Sequence, residues 1–150
     1  MLFTGVFVTC SDGRYALRFL VDVAEHQGDG FVPLKDVAVR QEISEKYLEI
    51  VVKELVKGGQ LISVRGKGGG YRLNRLPEEY SVKSILELME GPLVPVACLE
   101  PGQDACPRRR DCRTLPLWQG LNEVITNYLT QFTLADLETT IQQPFHFRKQ

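Results

Sequence analysis

The chain has 150 residues, 43% of them hydrophobic and 25% charged, with a formal net charge of -1 at pH 7. That size suits one domain able to bury a core without disulfide staples, and no apolar run approaches the roughly 18 to 20 residues that a membrane-spanning helix needs. The opening MLFTGVFV lacks a basic leader and a small-residue cleavage site, so it does not read as a signal peptide, and a cytoplasmic location with no membrane partner is expected.

Over 13–27, Ala16, Phe19, Leu20, Val23 and Ala24 recur at three- and four-residue steps, the mark of a helix with one buried face. Gly28 and Gly30 end it, and a short helix over 35–40 turns Val37 and Ala38 inward before a turn at 41–43. Ser44 is a good N-cap for the next helix, whose stripe Tyr47, Leu48, Val51, Val52, Leu55 and Val56 runs to the stop at Gly58-Gly59. Its other face carries Glu45, Lys46, Glu49, Lys53 and Lys57, and Ile50 is the one apolar residue there that the pattern does not bury.

LISVR and YRLNR, joined by Gly66-Lys67-Gly68-Gly69-Gly70, read as a hairpin with an open glycine tip. Ser81 caps a helix through Glu90 that buries Val82, Ile85, Leu86 and Met89. Gly91-Pro92 and Pro95 lead into a cysteine loop. A helix over 116–131 follows, with the long stripe Leu117, Trp118, Leu121, Val124, Ile125, Tyr128, Leu129 and Phe132, then a short helix starting at Thr133 and a frayed tail.

Two helices, a tight turn and a hairpin make the winged helix-turn-helix order, in which the second helix enters the major groove of DNA. The neutral total charge hides a basic stretch, since Lys53, Lys57, Arg65, Lys67, Arg72 and Arg75 face a single acid, Glu54. Ser44, Glu45, Lys46 and Tyr47 are placed to meet bases or phosphates, with Tyr47 suited equally to the core. Glu49 would be repelled by DNA unless it accepts from cytosine N4, which makes it selective. Arg65 suits a narrow minor groove, and Lys67 and Arg72 suit phosphate. The run GKGGG lacks the G-x-x-x-x-G-K-[ST] order of a phosphate-cradling loop, so it is a wing tip or a structural turn. The stripe over 116–131 is too rich for a lone helix and is assigned to a two-fold dimer on a palindromic duplex.

Cys98, Cys106 and Cys112 lie in one Pro/Gly-rich loop with Arg108, Arg109, Arg110 and Arg113. In a reducing compartment clustered thiols are metal ligands or redox sensors. By chemistry alone an iron-sulfur site, a metal-free thiol switch, zinc and no site at all stand as alternatives, although zinc usually takes four ligands in paired spacing. His26 and His146 lack catalytic companions, and no Ser-His-Asp, paired-carboxylate or HExxH arrangement occurs, so an enzyme is not expected.

GRYALRFLVDVA, PLKDVAVRQEISEKYLE and VRGKGGGYRL, together with the three-cysteine loop and the later LWQGL and TLADL, resemble the IscR-like family of bacterial winged-helix regulators from about residue 13 to 137. The resemblance implies homodimers on palindromic promoters, many of them sensing iron-sulfur status, redox stress or nitric oxide through a cluster on three cysteines. It implies Cys98, Cys106 and Cys112 as ligands. It also matches Ser44, Lys46, Tyr47 and Glu49 to recognition-helix contacts, and Arg65 with Gly68, Gly69 and Gly70 to the wing.

Three departures stand out. Leu115 occupies the place of a histidine ligand, Arg14 that of an oxygen ligand in other relatives, and Cys10-Ser11-Asp12 replaces the usual Ser-Thr-Lys. Cys10, with Cys10 of the partner subunit included, or an exogenous ligand is the candidate to complete the coordination.

The expected fold is mainly α with a small β-hairpin wing, a winged helix-turn-helix plus a long dimerisation helix. It divides into a DNA-binding part over 1–80, a linking helix and cysteine loop over 81–114, and a dimerisation helix and tail over 115–150. The expected function is a DNA-binding transcription regulator whose operator affinity follows a 2Fe-2S or 4Fe-4S cluster. The alternatives are a cluster-independent dimeric repressor using thiol redox chemistry or a protein partner, and an iron-sulfur carrier or electron-transfer protein.

Overall fold

The computed structural model describes residues 11–102 and 106–139. Helix α1 (Ser11–His26) buries Ala16, Phe19, Leu20 and Val23, as their spacing predicts. Helices α2 (Leu34–Gln41) and α3 (Glu45–Lys57) follow, separated by a tight turn in which Glu42 takes a left-handed conformation with φ 53. The Ser44 hydroxyl accepts from the Tyr47 amide at 3.1 Å, so the predicted N-cap is made.

Strands β1 (Leu61–Val64) and β2 (Gly70–Leu73) pair antiparallel, Leu61 opposite Leu73 and Val64 opposite Gly70. Val32, just before α2, bridges to Tyr71 and ties the wing to the helices. At Gly70 (φ 152) a Cβ would sit 2.4 Å from the Val32 carbonyl oxygen, so this bridge requires glycine.

Helix α4 (Val82–Glu90) packs on α1 and α3. Ser81 stands at its N-cap without a side-chain cap bond, unlike the expectation, because the segment enters α4 through a bridge to Thr133, with the Val82 amide donating to the Phe132 carbonyl at 3.0 Å. Met89 is half-buried rather than buried.

Helix α5 (Leu115–Thr130) buries no residue fully among those described, whereas α6 (Leu134–Thr139) returns to α1 and buries Leu134. Thr133 and Asp136 form the box that starts α6, the Thr133 amide donating to Asp136 Oδ2 at 2.9 Å.

One core joins α1, α2, α3 and the wing base with Tyr80, Ile85 and Leu134. A smaller one holds Val82, Leu86, Leu93 and Phe132. This is a mainly helical winged fold, as read from the sequence. Among the described residues no helix is long and apolar enough to cross a membrane.

Candidate nucleic-acid interface and cysteine loop

The direction of α3 is set from below by a group the sequence did not reveal. Asp22 of α1 is 1% exposed. Its carboxylate accepts from Arg40 Nε at 3.1 Å, Arg40 Nη2 at 2.6 Å and Gln41 Nε2 at 2.8 Å. Burial alone would raise the Asp22 pKa, but the hydrogen bonds from Arg40 and Gln41, the Arg40 charge and nearby His26 outweigh it and hold the carboxyl below its ordinary value. Arg40 and Gln41 end α2, and Arg18 also bonds the Gln41 carbonyl, so α1 clamps the turn that launches α3.

Above that clamp, Leu48, Val51, Val52 and Leu55 face the core while Glu45, Lys46, Glu49, Ile50, Lys53 and Lys57 are exposed. Tyr47 is half-buried against the core. Its ring stands edge-on to Tyr15 at 5.4 Å and its hydroxyl donates to the Asp12 carboxylate. The ring therefore packs partly on the core and still borders the surface at the start of α3.

A hollow of about 370 Å³ opens between α3 and the wing, and Glu49, Lys53, Ser63, Arg65 and Gly70 are among its lining residues. Glu49, Arg65 and Gly70, far apart in the chain, therefore share one site. Ser44 and Tyr47 border a second hollow at the start of α3, with Ser11, Tyr15 and Glu42. Arg65, Lys67 and Gly68 are exposed, whereas Gly69 and Gly70 are half-buried. A Cβ on Gly69 would lie 2.3 Å from the Val64 carbonyl oxygen, so backbone packing claims both of these glycines.

Cys98 lies in the single turn Ala97–Leu99, and all three cysteines described are free and half-buried. Arg109 ties the loop together, its Nη1 donating to the Cys98 carbonyl at 2.9 Å and its amide to the Cys106 carbonyl at 3.1 Å. The Thr114 hydroxyl 3.4 Å from Cys112 Sγ, with the Thr114 and Leu115 amides and the Arg108 charge, lowers the Cys112 pKa against a small opposing effect of burial.

In donor chemistry the three thiols among exposed arginines suit a soft metal or iron-sulfur group. In position they do not yet form one: among the described residues no three Cys, His, Asp or Glu side chains make a group able to hold a metal ion. Cys10 and His146 lie outside the described residues.

Beyond the loop, α5 leaves Leu117 (65%), Leu121 (41%) and Val124 (52%) exposed one turn apart, an apolar edge without cover in the single chain.

Residues 10–140 match a family described as Rrf2, iron-dependent transcriptional regulator. The chain is 39% identical over 127 residues, 85% of its own length and 76% of the relative's, to the HTH-type transcriptional regulator IscR of Yersinia pseudotuberculosis. Its fold is similar to the structure of CymR, the global cysteine regulator of B. subtilis, with a TM-score of 0.71 and 32% identity over 93% of this chain and 98% of that one. It is also similar to IscR of T. potens, with a TM-score of 0.68 and 32% identity over 91% and 93% of the two chains.

Proposed function

This chain belongs to the Rrf2 family of transcriptional regulators, and from that premise we propose that it binds a palindromic duplex as a cytoplasmic homodimer whose affinity follows an iron-sulfur cluster on Cys98, Cys106 and Cys112. The relatives are named as transcriptional regulators, so the chain is not an enzyme. The observation that carries the DNA reading is the shared hollow: Glu49 and Lys53 on α3 and Arg65 on the wing line one opening.

In this reading the part over 1–80 reads DNA. Ser44, Glu45, Lys46, Tyr47 and Glu49 present the first turns of α3, and Arg65, Lys67 and the glycines Gly68, Gly69 and Gly70 form the wing. Lys46, Lys53 and Lys67 hold phosphates, and Glu49 selects a base. The apolar edge Leu117, Leu121 and Val124 supports pairing of α5 with its symmetry mate.

Cys98, Cys106 and Cys112 would hold the cluster, with the fourth position left to Cys10 or an exogenous ligand. A bound cluster supplies a charge and a ligand set that change with oxidation or loss. The chain's own contacts supply the coupling. Leu88 of α4 packs on Gly58 at the end of α3, where a Cβ would meet Leu88 Cδ2 at 2.5 Å. Glu90, beside the loop, accepts from the Gly13 amide at 2.8 Å at the start of α1. These contacts make α4 the element through which a change beside Glu90 would reach α1 and α3, and only a difference in DNA affinity between two arrangements makes a switch.

The likeness to CymR, the global cysteine regulator of B. subtilis, favours a second reading, a cluster-independent dimeric repressor that responds through thiol redox chemistry or a protein partner. Anaerobic purification with iron analysis and visible absorption separates the two. Stoichiometric iron that is lost in Cys106→Ala supports the cluster, and iron-free protein with unchanged DNA affinity after reconstitution supports the thiol reading.

A further inference from the structure

We infer that Ile50 is a base-reading residue that recognises the C5 methyl group of a thymine in the major groove. This rests on the DNA-reading role of α3 and not on the cluster.

Ile50 is 57% exposed, although Leu48, Val51, Val52 and Leu55 on the same helix are buried. Single exposed apolar side chains are ordinary on protein surfaces, so exposure alone carries nothing. Position and surroundings carry the argument. Along α3 the neighbours of Ile50 one turn away are the exposed Lys46, Lys53 and Glu54 and the half-buried Tyr47, and Glu49, beside Ile50, lines the hollow together with Arg65. Residues three and four apart on a helix lie on one face, so Ile50 sits on the exposed, mixed-charge face of α3 rather than on the way to the core.

Lys46 and Lys53, one turn either side of Ile50, are placed to meet phosphates, and Arg65 faces Glu49 and Lys53 across the hollow. An aliphatic side chain has no donor or acceptor for a base edge. The apolar feature that a base pair offers in the major groove is the thymine methyl, and it distinguishes T·A from the other three arrangements. A β-branched side chain is also stiff at χ1, so Ile50 presents its methyl groups with little ordering to lose on binding. A polar residue at this position would read different bases.

The test uses the full-length protein and duplexes enriched by it from a random-sequence pool. Each thymine of an enriched duplex is replaced singly by uracil, which removes only the methyl, and affinities are measured for wild type and Ile50→Ala at fixed salt. We expect one thymine per half-site at which uracil weakens wild-type binding by about fourfold, the worth of one buried methyl-sized group. Ile50→Ala should show no loss at that thymine while binding the uracil duplex as tightly as wild type does, which also shows that the variant is folded. An enriched duplex insensitive to uracil at every thymine, or an equal loss in Ile50→Ala, overturns the role of Ile50 alone. A pool from which no sequence is enriched overturns the DNA-reading surface itself, and Ile50 with it.

Discussion

Replacing Asp22 by alanine tests the clamp beneath α3. The substitution removes the acceptor of four hydrogen bonds at 2.6 to 3.1 Å and leaves the Arg40 guanidinium without its partner. Breaking a fully buried pair costs about 3–5 kcal/mol, but the Arg40 side chain is 33% exposed and water takes over part of its bonding. A loss of about 2–3 kcal/mol follows, with about half of it for Asp22→Asn, which keeps an acceptor and the shape but not the charge. For a chain of this length that is a fall in Tm of about 4–12 °C for the alanine variant, read by circular dichroism at one protein concentration because dimerisation shifts the midpoint.

The pH dependence has a definite sign. A carboxyl held below its ordinary value in the folded state gives stability that is complete above the unfolded aspartate value of about 4 and is lost as pH falls through the folded value. The gap between wild type and Asp22→Asn should therefore be full at pH 6 to 8 and narrow below about pH 4. A Tm for Asp22→Ala within a degree or two of wild type at pH 7, or a gap that widens on acidification, would refute the clamp.

Arg65→Ala should weaken binding most where the minor groove is narrow and lower the log-log salt slope by about 1; equal affinity at matched salt rules Arg65 out of the interface. Gly70→Ala forces a Cβ to within 2.4 Å of the Val32 carbonyl oxygen, so thermal unfolding should show a loss of about 1–3 kcal/mol, the usual cost of overpacking. No change would mean that the Val32–Tyr71 bridge yields freely. Leu121→Glu places a charge on the exposed edge of α5 and should turn dimer into monomer in sedimentation velocity, while a dimer of undiminished affinity would place the interface elsewhere.

The helices and the wing were legible because their signals are local. The stripe from Leu48 to Leu55 and the Ser44 cap fix α3 within a few residues, and the glycine run between two short strands fixes the hairpin. Pairings across the chain left no such trace. Nothing near Asp22 announces Arg40, 18 residues away, although a carboxylate beside the buried Phe19 and Val23 is a signal that some partner must exist. Likewise Tyr47 reads as groove or core with equal ease until Asp12, 35 residues earlier, accepts its hydroxyl.

Gly70 looked like a freely exposed tip residue, yet its neighbour in space is Val32, on the far side of two helices in sequence. The cysteine spacing permits convergence but does not impose it, and it gives no sign that Arg109 bonds the carbonyls of both Cys98 and Cys106.

The most direct measurement is operator affinity of the anaerobically purified protein against the same preparation stripped of iron, with Cys106→Ala alongside. Control by Cys98, Cys106 and Cys112 predicts bound iron and visible absorption in wild type alone, a clear difference in affinity between its two forms, and a variant that behaves as the stripped protein in both. Identical affinities for loaded and stripped protein, or an unaltered spectrum in Cys106→Ala, would contradict it.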